Sequence, residues 1–229
     1  MHILLSSFVL VFSASVALAQ APGAPSGDAS RYAVAYVEVM PSKAAAFADA
    51  FRKYRDASRG EPGYGAVEMF GQSDRPGHFV VLETWKDQAS IEGHAKSAAV
   101  TQFRAALDPI RVSGYDERPY KTLNARGASS GSGRGGLHVV THVDFAPGSG
   151  DGIALLNRLA DASRSEAGCL RFDVLQHAMR ANHFTIVESW ASAQARDAHA
   201  AAATTRKYRD DVQPMTGSPL DERMFKSAE

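Results

Sequence analysis

Two periodicities alternate along the chain. Residues 32–40 are rich in Val and Tyr and alternate in the manner of a strand, which Pro41 ends. Beyond it Phe47, Phe51 and Tyr54 recur at i, i+4 and i+7, the apolar stripe of an amphipathic helix. Glu61-Pro62-Gly63 then breaks the helix and turns the chain. Two more strands are expected near residues 65–70 and 78–85, a hairpin closed by turn formers at 73–77. Asp87 is placed to cap a second helix reaching about Leu107, and a last strand falls near residues 115–120.

The pattern then repeats. Shifting the chain by 105 residues aligns 56–121 with 161–226 without a gap, and 21 of 66 positions are identical. Asp-Ala-Ser-Arg-x-Glu-x-Gly recurs at 56 and 161, and His-Phe-x-x-x-Glu-x-Trp at 78 and 183. His94-Ala95 matches His199-Ala200, and Asp116-Glu117-Arg118 matches Asp221-Glu222-Arg223. Such self-similarity is an internal duplication. The stripe of the second copy's first helix is offered by Ile153, Leu156 and Leu159, and Glu166-Ala167-Gly168 ends that helix. The units are expected over 31–123 and 137–229, with a flexible Gly/Ser-rich connector at 124–136.

Strand, helix, strand, strand, helix, strand is the ferredoxin-like order, an α+β unit whose helices cover one face of its sheet. In the third strand Phe79 and Val81 point one way and Val80 and Leu82 the other, so both faces must be buried. One unit cannot do this alone. The expectation is therefore two ferredoxin-like repeats packed as an intramolecular pseudo-dimeric α/β barrel, the halves clasping an enclosed apolar space.

Composition changes this picture little. Of 229 residues 45% are hydrophobic, and 25 basic residues balance 25 acidic ones, so no net field exists to attract nucleic acid or an anionic membrane. The lone Cys169 cannot form a disulfide within the chain. Residues 3–16 are almost wholly apolar and Ala17-Leu18-Ala19 offers small residues at alternate positions, which reads as a signal peptide over 1–19 followed by a lead-in at 20–30. The n-region has His2 but no Lys or Arg, and an uncleaved anchor is the alternative. Cleavage would leave a periplasmic or secreted protein with no membrane partner.

The residues above resemble the antibiotic biosynthesis monooxygenase (ABM) domain family. The resemblance rests on Glu-Pro-Gly after the first helix, on Val-Leu-Glu-Thr-Trp ending at Trp85 with Gln88-Ala89 beyond, and on a helical His94; the second copy repeats it as Glu166-Ala167-Gly168, Val187-Glu188-Ser189-Trp190 and His199. It implies a dimeric α/β barrel and, in several members, oxygenation of phenolic or quinol-like aromatics without metal or flavin. The family also includes haem-degrading enzymes and a small-sugar isomerase.

Oxygenation without a cofactor needs a substrate acidic enough to lose a proton, a base to take it, and a dry pocket. Histidine suits the second task because it titrates near neutrality. His94 shares a helix face with Ile91, Ala95 and Ala98, which turns it toward the sheet as either a base or a bonded structural group. His199 is its counterpart. Glu83 and Glu188 lie on the strand face of Phe79, Trp85, Phe184 and Trp190, and a carboxyl in such company must pair or protonate. The tryptophans and phenylalanines could line a pocket for a planar ligand or simply pack the core.

Departures from the family pattern narrow the reading. A second histidine five residues on is replaced by Ala99 and Thr204, and Arg104 and Arg209 stand near where haem-degrading members place their iron ligand. His138 and His142 share a strand face, but two ligands do not make a metal site and Val37 is matched to His142 in the first copy. The reading is a cofactor-independent monooxygenase of a small aromatic, with molecular oxygen as co-substrate. A binding module for a small hydrophobic ligand and a cofactor-free isomerase are the alternatives.

Overall fold

The computed structural model describes residues 30–126 and 136–228; the signal peptide and most of the lead-in and linker read from the sequence lie outside them. The first half runs β1 (Arg31–Glu38), α1 (Ala44–Ser58), β2 (Tyr64–Gln72), β3 (His78–Trp85), α2 (Gln88–His94), α3 (Ala98–Leu107), β4 (Asp116–Asn124). The second runs β5 (Leu137–Asp144), α4 (Gly152–Ser163), β6 (Cys169–His177), β7 (His183–Trp190), α5 (Ala193–Ala201), α6 (Ala203–Val212), β8 (Asp221–Ser227). Among the described residues no helix is long and apolar enough to cross a membrane.

Each half forms an antiparallel sheet, β4-β1-β3-β2 and β8-β5-β7-β6, and the two close into one eight-stranded barrel through the β2–β8 and β4–β6 seams. Closure removes all four edges, each of which would otherwise expose unpaired backbone. Arg126 N–H donates to Asp173 at 2.9 Å and Arg164 bonds the Asn124 carbonyl at 2.7 Å, so the connector is tied to the second half as it leaves β4.

The two-faced strand explains the layering. Val80 and Leu82 enter the barrel with Tyr32, Val34, Phe70 and Tyr120 from the first half and Val140, Leu175, Val187 and Phe225 from the second. Phe79 and Val81 face outward under the helices, packed on Phe47, Phe51 and Phe103. The second half has its own helix-side core around Leu156, Phe172, Phe184 and Val212. The expectation of an enclosed space between the halves is corrected here. Both sheets contribute large side chains to that interior, and it is filled as a core.

Three local expectations are also revised. The single helix after Asp87 is two helices: Asp87 caps α2 through Ser90 N–H, and Ser97 caps α3 through Val100 N–H. Ile153 is exposed, and Leu155, Leu156 and Leu159 form the buried stripe of α4. In β1 the repeat offset is 106, because Tyr36 and His142 hold matching ladder positions, opposite Asp116 and Asp221. The residue equivalent to His142 is therefore Tyr36 and not Val37.

Candidate active site

The Glu-x-Gly motif sets the site. Gly63 and Gly168 adopt φ of 75° and 82°, and a Cβ at Gly63 would lie 2.0 Å from Ser90 Oγ, so the turn can close on the next helix only with glycine. That closure brings Glu61 to the end of α2, where Glu61 Oε2 is 2.7 Å from His94 Nδ1. His94 is 4% exposed and its ring stacks on Trp85 at 4.2 Å. Its Nε2 meets the Tyr54 hydroxyl at 2.6 Å and lies 3.4 Å from Glu83 Oε2. The Tyr54 hydroxyl in turn donates to Glu83 Oε1, and Trp85 Nε1–H donates to Glu83 Oε2 at 3.1 Å.

These contacts suit one protonation pattern. A hydroxyl that donates to Glu83 must accept from Nε2–H, while Nδ1–H donates to Glu61, and only an imidazolium donates from both nitrogens. Burial opposes the charge on His94, but Glu83 and Glu61 outweigh it and raise the pKa. Burial and the neighbouring Glu83 push the Tyr54 phenol far upward. His94, Glu83 and Tyr54 line one cavity of about 90 Å³ with Tyr115, Arg104 and Glu117. A void of roughly 150 Å³ is needed to hold benzene, so this one suits a few waters and not an aromatic ring. Arg104 closes its rim, bonded to Glu117 at 2.8 Å and lying over the Tyr115 ring.

The second half keeps the frame and changes the chemistry. Glu166 Oε2 is 2.9 Å from His199 Nδ1, His199 stacks on Trp190 at 4.6 Å, and Trp190 Nε1–H donates to Glu188 at 2.8 Å. Leu159 replaces Tyr54 and Tyr208 replaces Phe103, so no hydroxyl bridges the acid and the base, and His199 Nε2 stands 4.0 Å from Glu188 Oε2. Burial lowers the His199 pKa, and burial lifts the Glu188 carboxyl to about 7. Arg196 replaces Ile91, and Arg196 and Arg209 both bond Glu222. Beside them opens a cleft of about 700 Å³ lined by Arg209, Val212, Leu220 and Glu222 among others, where the first half has Tyr115 in place of Leu220.

Comparison with known proteins decides the family. The antibiotic biosynthesis monooxygenase model matches residues 30–106 and again 137–211. The chain belongs to the antibiotic biosynthesis monooxygenase family. A relative in Bacillus subtilis (strain 168), "Putative monooxygenase YcnE", is 32% identical over 86 residues, 34% of this chain and 90% of its own length. A Fusobacterium nucleatum "Putative monooxygenase" structure superposes with TM-score 0.77 at 15% identity, covering 88% of this chain and 93% of that one. A structure titled "anthrone oxidase-like protein" gives 0.68 at 15% identity over 88% and 92%. At these identities the structural matches speak to the fold, an ABM barrel made by a single tandem chain.

Within this ABM chain the residues singled out from the sequence part company. His94 with Glu83, and His199 with Glu188, are brought together under the helices. Trp85 and Trp190 support the histidine rings by stacking, and neither lines a described cavity. Phe79 and Phe184 lie at the far end of their strands, packed on Phe47 at 4.6 Å and Phe145 at 5.5 Å. Four strand residues, roughly 13 Å, separate Phe79 from Glu83, so sharing a face did not make them neighbours. His138 and His142 point into the barrel, bonded to Ser189 at 2.9 Å and Tyr36 at 2.7 Å. The acids Glu61 and Glu166 were missed as histidine partners, though their recurrence in Glu-x-Gly was the available signal.

Proposed function

We propose that the chain catalyses cofactor-independent monooxygenation of a small electron-rich aromatic, a quinol or an anthrone-like phenol, outside the cytoplasm. The observation that supports this is a buried histidine held between two acids on a tryptophan face, built twice in an ABM fold. Where its Nε2 is unprotonated, the histidine of such a site can take a hydroxyl proton, and the electron-rich anion then reacts with oxygen at carbon. Substrate plus O₂ yields a product with one more oxygen and two fewer hydrogens, and the second oxygen leaves as water. The fold shared with an anthrone oxidase-like protein agrees with this substrate class. The leader pattern at residues 1–19 supports the compartment.

The test is oxygen uptake with a panel of hydroquinones and anthrones, comparing wild type with a His94→Ala, His199→Ala double variant. Uptake that falls at least about 100-fold in the folded variant is the expected result. Equal uptake by both proteins would refute the assignment. Tight binding with no uptake would leave a binding module, and isomerisation without oxygen would leave an isomerase.

A further inference from the structure

We propose that the aromatic substrate binds in the second half only, its hydroxyl seated between His199 Nε2 and Glu188 Oε2, the place that Tyr54 fills with its own phenol in the first half. The proposal rests on the functional reading for the identity of the ligand, a phenol, and on geometry for its location. The first half already shows how this histidine–carboxylate frame holds a phenol: Oη is 2.6 Å from His94 Nε2 and bonded to Glu83. With that group in place, His94 has both nitrogens engaged as donors and no lone pair left to receive a proton.

In the second half Leu159 removes the internal phenol, and three observations point to a ligand in its stead. His199 Nδ1–H is turned to Glu166, which directs the Nε2 lone pair toward Glu188 across 4.0 Å. The hydroxyl of Tyr208, a residue 7% exposed, has no hydrogen-bond partner among the described residues, a costly state for a buried polar group. Burial first, and then the nearby Glu188, oppose its ionisation. Finally, formal charge differs between the halves by one guanidinium: Glu61, Glu83, Glu117 and Arg104 are matched by Glu166, Glu188, Glu222 and Arg209, and Arg196 stands where the first half has Ile91, bonded with Arg209 to Glu222. A phenolate in the second half therefore meets one guanidinium more than in the first, against the same number of acids. The cleft lined by Arg209 and Glu222, with Leu220 where the first half has Tyr115, opens beside the arginine–glutamate pair of this half.

The step is a single proton transfer. The substrate O–H bond breaks, its proton goes to His199 Nε2, and the electron pair stays on the phenolate oxygen. His199 becomes an imidazolium bonded to Glu166, with Glu188 beside it.

The chain has only two tryptophans, and each donates its indole N–H to the acid of one half. The experiment is therefore a titration of the ¹⁵N-labelled full chain with hydroquinone under argon, following the two indole N–H signals, assigned with Trp→Phe variants. The expected result is a saturable shift of the Trp190 signal with the Trp85 signal unmoved, and no shift of either with 1,4-dimethoxybenzene. Leu159→Tyr, which installs the internal phenol, and Arg196→Ile, which installs the first half's residue, should each weaken the affinity at least tenfold. Should Leu159→Tyr unfold, Arg196→Ile still decides. Movement of Trp85 alone, equal movement of both, or no movement would overturn the proposal, as would wild-type affinity in both variants. Because oxygen is absent, failure to oxygenate any substrate would refute the proposed activity without touching this result.

Discussion

Tyr36 Oη lies 2.7 Å from His142 Nε2, although the two residues hold the same position in the two halves. Equivalent residues that touch each other lie close to the pseudo-twofold axis. Two identical side chains there would have to share one role; a tyrosine and a histidine divide it. The phenol donates, His142 Nε2 accepts, and His142 Nδ1–H is turned to Thr185 at 2.8 Å. Arg118 and Arg223, themselves equivalent, lie 5.3 and 4.9 Å from the Tyr36 ring. Tyr36→Phe should lower stability by about 1 kcal/mol, because His142 Nε2 loses the nearer of its two donors and keeps Arg118 Nη1 at 3.1 Å, with activity unchanged. Equilibrium urea unfolding checks this, and a loss below about 0.3 kcal/mol would show the bond to be incidental.

Stability should fall on acidification in a narrow window. Burial, aided by Arg171 for His138 and Arg118 for His142, lowers both pKa values to about 4, from 6.5. A histidine depressed in the folded state is protonated more readily when unfolded, so its contribution is present above pH 6.5 and lost as pH falls toward 4. The loss is on the order of 3 kcal/mol per histidine. His94, raised in the fold, works in the opposite sense and offsets part of it. Urea midpoints at pH 7.5 and 4.5 should converge in a His138→Phe, His142→Phe variant; an unaltered pH slope would contradict the assignment.

Glu61→Gln removes an acid that raises the His94 pKa, so His94 should titrate lower than in wild type. For wild type the raised pKa means that this contribution to stability is complete below pH 6.5 and is lost as pH rises through the folded value. Glu166→Gln should move His199, already lowered, further down. Histidine ring signals followed by NMR against pH measure both shifts, and an upward movement in either variant would reverse the electrostatic picture.

Glu68 and Arg171 tie β2 of the first half to β6 of the second at 2.8 Å, with the Arg171 side chain 1% exposed and also bonded to Asp173 at 2.6 Å. Removing one partner leaves a buried charge under-compensated, so Glu68→Ala should cost about 3 kcal/mol. Adding Arg171→Met should not recover that loss, because it leaves the Asp173 carboxylate, 1% exposed, without its guanidinium. A double-mutant cycle by urea unfolding gives the coupling, and strictly additive losses would show that the two side chains do not depend on each other.

What the sequence determined by itself was whatever depends on period and repetition. Alternation in β3 showed a strand buried on both faces, the 105-residue repeat showed where its cover came from, and together they led to a closed two-half barrel. The same periodicity turned His94 and Glu83 toward one layer. Periodicity names a face but not a depth along it, which is why Phe79 and Trp85, alike in pattern, ended as a core residue and a histidine support. Nor could it say which side of the sheet held the cavity, since both faces are apolar; that depended on large side chains from both sheets filling the barrel. The difference between the two sites was least legible of all. Tyr54 and Leu159 are both acceptable stripe residues on a helix, and only the fold, by carrying Tyr54 across to Glu83 and His94 from 29 and 40 residues away, turned an apolar substitution into a change of protonation.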